Sequence, residues 1–181
     1  EVALNALHMK GEVITTPFTH CSPIHAIVRN GLKPVFVDIR ESDCTINPEY
    51  IEAAITENTA AIVATHVYGF ICDVEAIEKI GHKYGLKVIY DAAHAFGVTY
   101  KGIGSANFGD ASMFSTHATK VFHTIEGGIV AYKDRELFKE LRHLVNFGFT
   151  SQDDIEYVGT NARMNEFEAV MGICNLEYID G

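Results

Sequence analysis

The sequence predicts an α/β fold with a mostly parallel, mixed sheet. Three observations carry this: short β-branched runs recur along the chain, helical patterns separate several of them, and capping residues or glycines mark helix ends. The runs cover residues 12–15, 34–39, 60–67, 87–90, 111–115 and 128–132. Their near-continuous apolar character suits strands buried on both faces.

In chain order, strand 12–15 leads into a helical pattern over 22–30, closed by Gly31, and then strand 34–39. Asn47 is placed to cap a helix over 48–55 that starts with Pro48, a proline position that sacrifices no intrahelical hydrogen bond. After strand 60–67, Val74, Ile77 and Ile80 recur at near-helical spacing in a helix over 74–84, which Gly85 ends. Strand 87–90 follows. Strands 111–115 and 128–132 have no clear helix between them, so the sheet is expected to be mixed. From Lys133 onward the chain reads as helical and then loop-like. No repeat or linker divides it, and one domain over 1–181 is expected.

Composition narrows the function classes. Of the 181 residues 48% are hydrophobic and 21% charged, the balance of a folded globular protein. A net charge of -10 gives no electrostatic reason to bind nucleic acid or an anionic membrane. No apolar run approaches the roughly 20 residues that span a bilayer, and the first residues lack the basic region of a signal peptide, so the expected location is the cytoplasm. Cys21, Cys44, Cys72 and Cys174 form no CxxC pair and are expected as reduced core thiols. Nine histidines raise the question of a metal, but His117 and His123 lie six apart and no HExxH spacing occurs, so no metal site is expected.

Two segments carry chemistry. One is Phe114-Ser115-Thr116-His117-Ala118-Thr119-Lys120, followed by Glu126-Gly127-Gly128; the other is Asp91-Ala92-Ala93-His94. A lysine holds an aldehyde cofactor as a Schiff base only when its amine is neutral on attack, which burial or nearby positive charge promotes. An aspartate facing a pyridine nitrogen keeps it protonated, so the ring can act as an electron sink. Lys120 and Asp91, in this order, therefore point to pyridoxal phosphate. Both Asp91 and Ser115 fall at the carboxyl ends of strands, where ligands gather in open α/β sheets. A dinucleotide site is disfavoured: Gly102-Ile103-Gly104 lacks a third glycine at position 107, where Asn107 stands, and opens no helix after a strand.

Further motifs in the same order are Val13-Ile14-Thr15-Thr16-Pro17-Phe18, Pro34-Val35-Phe36-Val37-Asp38-Ile39, His66-Val67-Tyr68-Gly69 and Gly159-Thr160-Asn161-Ala162-Arg163-Met164-Asn165. With them the chain resembles the fold-type I pyridoxal phosphate enzymes, specifically the DegT/DnrJ/EryC1/StrS sugar aminotransferases. The resemblance implies a three-layer α/β/α large domain. It also implies roles: Asp91 on the pyridine nitrogen, His94 near the phenolic oxygen in place of the commoner glutamine, and Lys120 as the Schiff-base lysine and proton shuttle. Ser115 would bond the phosphate, and His20 would cover the ring face where an aromatic is commoner. Asn161 would reach the phosphate of the other subunit, implying a homodimer. Glu126 and its glycines are expected to shape a turn, and His117 and His123 to be structural.

The reaction implied is amino transfer from glutamate to the keto carbon of a nucleotide-linked sugar. The segment around His-Ala-Thr-Lys-Val-Phe looks closest to enzymes of dTDP-linked 4-keto or 3-keto 6-deoxyhexoses. Dehydratase relatives carry histidine at the lysine position, and desulfurases place histidine directly before it; Lys120 preceded by Thr119 counts against both. Another fold-type I enzyme, dehydratase or desulfurase-like, stays an alternative, and a non-catalytic or inactive fragment is a further one. The chain matches about the middle half of the family, beginning after its Gly-Thr-x-Ala-Leu phosphate-binding segment and stopping before its small C-terminal domain. It is thus expected to be a large-domain fragment that binds the cofactor poorly by itself.

Overall fold

A computed structural model describes residues 1–179. Eight strands form: β1 (Glu12–Thr15), β2 (Lys33–Phe36), β3 (Thr59–Thr65), β4 (Lys87–Asp91), β5 (Thr99–Tyr100), β6 (Ile103–Gly104), β7 (Ala111–Ser115) and β8 (Gly128–Tyr132). Six make the main sheet, in the order β2-β1-β3-β4-β7-β8. All its pairings are parallel except the last, where β8 runs antiparallel to β7 with Ala111 opposite Tyr132. The mixed sheet follows from the chain between β7 and β8, which supplies no crossover helix.

Alternation along the central strands explains the layers. Ile14, Ile62, Ala64, Val88 and Tyr90 point to one face, where they meet Ile51 of helix α3 (Pro48–Ala53) and Val74, Ile77 and Ile80 of α4 (Val74–Tyr84). Val13, Ala61, Val63 and Ile89 point to the other, against Leu4 of α1 (Val2–Ala6) and Ile27 of α2 (Cys21–Arg29). Helix α5 (Glu136–Leu144) joins that layer, with Leu137, Leu141 and Leu144 packed beside Ala6. Ile14, Ile27, Ile62, Ile77 and Ile89 are fully buried, and each contributes about 1.5–3 kcal/mol by leaving water. The close approach of α4 to β4 needs Gly81, where a Cβ would lie 2.7 Å from Val88 Cγ2.

Local chemistry sets the helix ends. Asn47 and Asp73 accept backbone N–H bonds from Glu49 and Ala76, at 3.0 and 3.1 Å, and Gly85 closes α4 with φ +66°. The Gly102 segment is a hairpin turn between β5 and β6, with Lys101 and Gly102 both at positive φ. Such a turn opens no helix, which accounts for the absence of a dinucleotide motif there.

Several boundaries differ from the sequence expectation. Strand 34–39 ends at Phe36 because Asp38 turns back to accept the N–H of Ile39 at 2.8 Å. Strand 60–67 ends at Thr65, since His66 leads into a 3-10 turn with Tyr68 and Gly69 at φ +53° and +88°. Only Cys72 among the four thiols is buried; Cys21 and Cys174 are exposed, so the expected core thiols reduce to one. The stretch read as loop-like contains a further helix, α6 (Glu166–Leu176), started by a reciprocal Asn165–Glu168 capping box.

Ile62→Ala is expected to lower the unfolding free energy by about 2–5 kcal/mol, through lost burial and the cavity left behind, as read from the urea midpoint.

Candidate active site

Parallel strands present all their carboxyl ends on one edge. The chain leaves β1 toward β2 on one side and returns to β3 on the other, which opens a crevice at that edge. A cavity of about 730 Å³ occupies it. Its walls are Pro17–His20 after β1, Thr65, Val67 and Tyr68 at the end of β3, Asp91, Ala93 and His94 at the end of β4, and Ser115, His117, Thr119 and Lys120 after β7. His20, Asp91, His94, Ser115 and Lys120, far apart in sequence, thus share one cavity.

Asp91 is the last residue of β4, and its Oδ1 accepts the Ala93 N–H at 3.1 Å. Desolvation pushes its carboxyl above the usual range; the Ala93 bond and the nearby His94, Lys120 and His20 pull the other way without cancelling the shift. Ser115 ends β7, and its Oγ accepts the His117 N–H at 3.3 Å, so its own proton stays available to donate. His94 Nδ1 accepts the Tyr68 N–H at 3.3 Å, which leaves Nε2 as the donor of the neutral ring. The Tyr68 and His94 rings are nearly parallel, 6.0 Å between centroids. His20 caps α2 by accepting the Ser22 N–H at 3.3 Å. Among the described residues no ion pair occupies the Lys120 ammonium.

Asn161 lies elsewhere. It is exposed, bridges to Asn146, and lines a second cavity of about 690 Å³ with Arg163, Met164 and Glu126. Tyr68, in the His66-Val67-Tyr68-Gly69 motif, has no role legible in the sequence; its position over His94 depends on the left-handed turn there. His117, expected to be structural, lines the cavity while bonding Thr119 Oγ1 at 2.9 Å and facing Glu126 at 3.3 Å. His123 stays outside the cavity lining.

Beneath the site, the His66 ring is fully buried and accepts the Cys72 N–H at 3.2 Å through Nδ1. Burial lowers its pKa to about 4, so the ring is neutral as it stacks on Tyr90 at 4.6 Å.

The DegT/DnrJ/EryC1/StrS aminotransferase family pattern matches residues 1–181. The chain belongs to this family. Its curated relatives include the dTDP-4-amino-4,6-dideoxy-D-glucose transaminase of Shigella dysenteriae, 48% identical over 98% of this chain and 48% of that protein. Among solved structures, DesI in the presence of its TDP-sugar product superposes with a TM-score of 0.92 at 37% identity, covering 99% of this chain and 46% of DesI. NtdA from Bacillus subtilis, with its cofactor PMP bound, gives a TM-score of 0.91 at 29% identity over 98% of this chain and 41% of NtdA. The chain therefore spans about half the length of the family members it matches. Use of pyridoxal phosphate is typical of the DegT/DnrJ/EryC1/StrS family. Among the described residues no cluster of three or more His, Cys, Asp or Glu side chains is arranged for a metal, and no helix is long and apolar enough to cross a membrane.

The raised carboxyl of Asp91 has a signed consequence. The folded protein binds this proton more tightly than the unfolded chain, so stability falls as pH rises from the ordinary value of 3.8 through the raised one. In cofactor-free protein, Asp91→Asn is expected to be more stable than the parent at neutral pH, with the gap closing as pH falls through the raised value toward 3.8. Urea midpoints measured across that range check it.

Proposed function

We propose that the intact protein is a pyridoxal phosphate-dependent aminotransferase that moves an amino group from glutamate to the keto carbon of a nucleotide-linked deoxysugar. The observation that carries this is the shared cavity: Lys120 and Asp91, from different strand ends, line it together. This chain is then the cofactor-binding large domain of a longer protein.

The residues present fit the cofactor. Asp91 is a desolvated carboxyl with no ion-pair partner among the described residues, the environment that a protonated ring nitrogen would complete. Bound there, pyridoxal phosphate supplies an electron sink for carbanion chemistry. Asp91 would hold the proton on its ring nitrogen, His94 would offer Nε2–H to its ring oxygen, the Ser115 hydroxyl would donate to its phosphate and His20 would cover its ring. Lys120 Nζ would hold its aldehyde and move the substrate proton as general base. A lysine at this position, where dehydratase relatives carry histidine, favours amino transfer. The name of the Shigella relative and the DesI sugar complex support a dTDP-linked sugar as substrate.

A homodimer is part of the proposal, with Asn161 reaching the partner's cofactor phosphate. Its support is an apolar surface on α6 and the segment before it, where Phe167 is 84% and Val158 92% exposed, beyond what a solvated helix ordinarily shows. A cytoplasmic setting is proposed on the four free cysteines, which suit a reducing compartment.

In the intact gene product, Lys120→Ala is expected to abolish the absorbance of covalently held cofactor and cut amino transfer by roughly 10²–10⁴-fold or more. Titration with pyridoxal phosphate and an amino-transfer assay decide it; a variant with parental absorbance refutes the assignment. Phe167→Asp is expected to shift the protein toward monomer in sedimentation, because a buried unpaired charge opposes association.

A further inference from the structure

Lys120 rides on a segment that leaves the sheet after β7 and rejoins it before β8. The neck is tied by backbone bonds: the Thr116 N–H donates to the Gly127 carbonyl and the Thr124 N–H to the Thr116 carbonyl, both at 2.9 Å. Inside the neck sit two hydroxyls. Thr116 and Thr124 are 0% and 2% exposed, with their Oγ1 atoms 2.7 Å apart. The Thr124 hydroxyl donates to the Glu126 carbonyl at 2.7 Å. A hydroxyl carries one proton, so Thr116 must be the donor to Thr124, and the chain of bonds runs in a single direction.

The surroundings are built around this pair. Gly127 has φ +148°, and a Cβ there would lie 2.6 Å from Thr116 Oγ1 and 2.7 Å from Thr124 Oγ1, so glycine alone lets the backbone lie against both hydroxyls. Ile125, between them and the glycines, adopts φ +70°, a strained conformation for a β-branched residue that persists only where neighbours impose it. Helix α6 braces the outer side: Asn175 Nδ2 donates to the His123 carbonyl at 2.8 Å. Gly172 lets the helix come close, since a Cβ there would sit 3.0 Å from Thr124 Cγ2.

None of Thr116, Thr124, Gly127 and Asn175 lines the cavity. Lys120, however, has a long flexible side chain and, among the described residues, no ion pair to aim it, so its place at the cavity depends on its backbone. We propose that the Thr116–Thr124 hydroxyl pair, braced by Asn175, positions Lys120 for its covalent role. The proposal rests on the functional reading above for what Lys120 does, but the ordering of the segment is a property of this chain alone. Misplacement of a reacting group by about 1 Å can cost about 10²-fold in rate.

Two substitutions separate hydrogen bonding from packing. Thr124→Val keeps the shape and removes the hydroxyl; Thr124→Ser keeps the hydroxyl and removes the methyl. In the intact protein, hydrogen exchange of residues 117–123 is followed by mass spectrometry, together with the rate at which pyridoxal phosphate becomes fixed to Lys120 on borohydride reduction. Thr124→Val is expected to exchange at least about tenfold faster across this segment, as local opening becomes cheaper, and to fix the cofactor at least about tenfold more slowly. Thr124→Ser is expected to stay within about twofold of the parent on both measures, since the hydroxyl is retained.

Parental behaviour in Thr124→Val, equal damage in Thr124→Ser, or a loosened segment with parental fixation would each overturn the proposal. Should Thr124→Val fail to fold, Asn175→Ala at the half-buried brace carries the same comparison, and parental values there overturn it. If the parent itself fixes no cofactor at Lys120, the functional reading fails, while the exchange rates still decide whether the hydroxyl pair orders the segment.

Discussion

Everything at the site depends on the parallel alignment of β1, β3, β4 and β7. Parallel strands put their carboxyl ends on a common edge, and helices on both faces keep the strand interiors apolar. Polar residues are thereby displaced to the ends, where Thr65, Asp91 and Ser115 each stand as the last residue of a strand. A cavity with a polar floor and an apolar foundation results, and the residues facing it come from segments separated by most of the chain.

Burial gives these groups their chemistry. Asp91 lies at the boundary between the core and the cavity, so its carboxyl is desolvated while three basic side chains stand near it. That placement costs stability to the protein alone and gains from a cationic ligand, the stability–function conflict expected of an active site. One step deeper, the same desolvation acts on His66 and lowers its pKa: the ring is kept neutral, accepts a backbone N–H and stacks on Tyr90. The His66 carbonyl accepts the Gly69 N–H at 3.3 Å and so closes the turn that presents Tyr68 to His94.

The segment bearing Lys120 is ordered by different means. No strand or helix holds it; a buried hydroxyl pair, a glycine with no room for a side chain and an asparagine from α6 do so instead. Because α6 also presents an apolar outer surface, whatever covers that surface is linked to the lysine-bearing segment through the Asn175 bond to the His123 carbonyl and the close packing of Gly172 on the Thr124 side chain.

Most of the architecture was legible in the sequence. The six main strands, helices α2 to α4 and the mixed character of the sheet follow from periodicity and capping, which are local properties: Asn47 caps the helix it precedes, and Gly85 ends α4. Lys120, Asp91 and Ser115 were legible as candidates because chemistry restricts what can stand at such positions. The early ends of β2 and β3, the helix α6 and the part played by Tyr68 and His117 were not. Each depends on contacts between distant residues or on a left-handed backbone at a non-glycine position, for which a linear pattern carries no signal. The sequence by itself determined which positions of the central strands and of α3 and α4 face the core and which types of side chain end the strands, since hydrophobic periodicity and capping act over a few residues. Only the tertiary structure decided that Lys120, Asp91, His94, Ser115 and His20 face one another while Asn161 does not, because strand order and crossover direction are set by packing across the whole sheet.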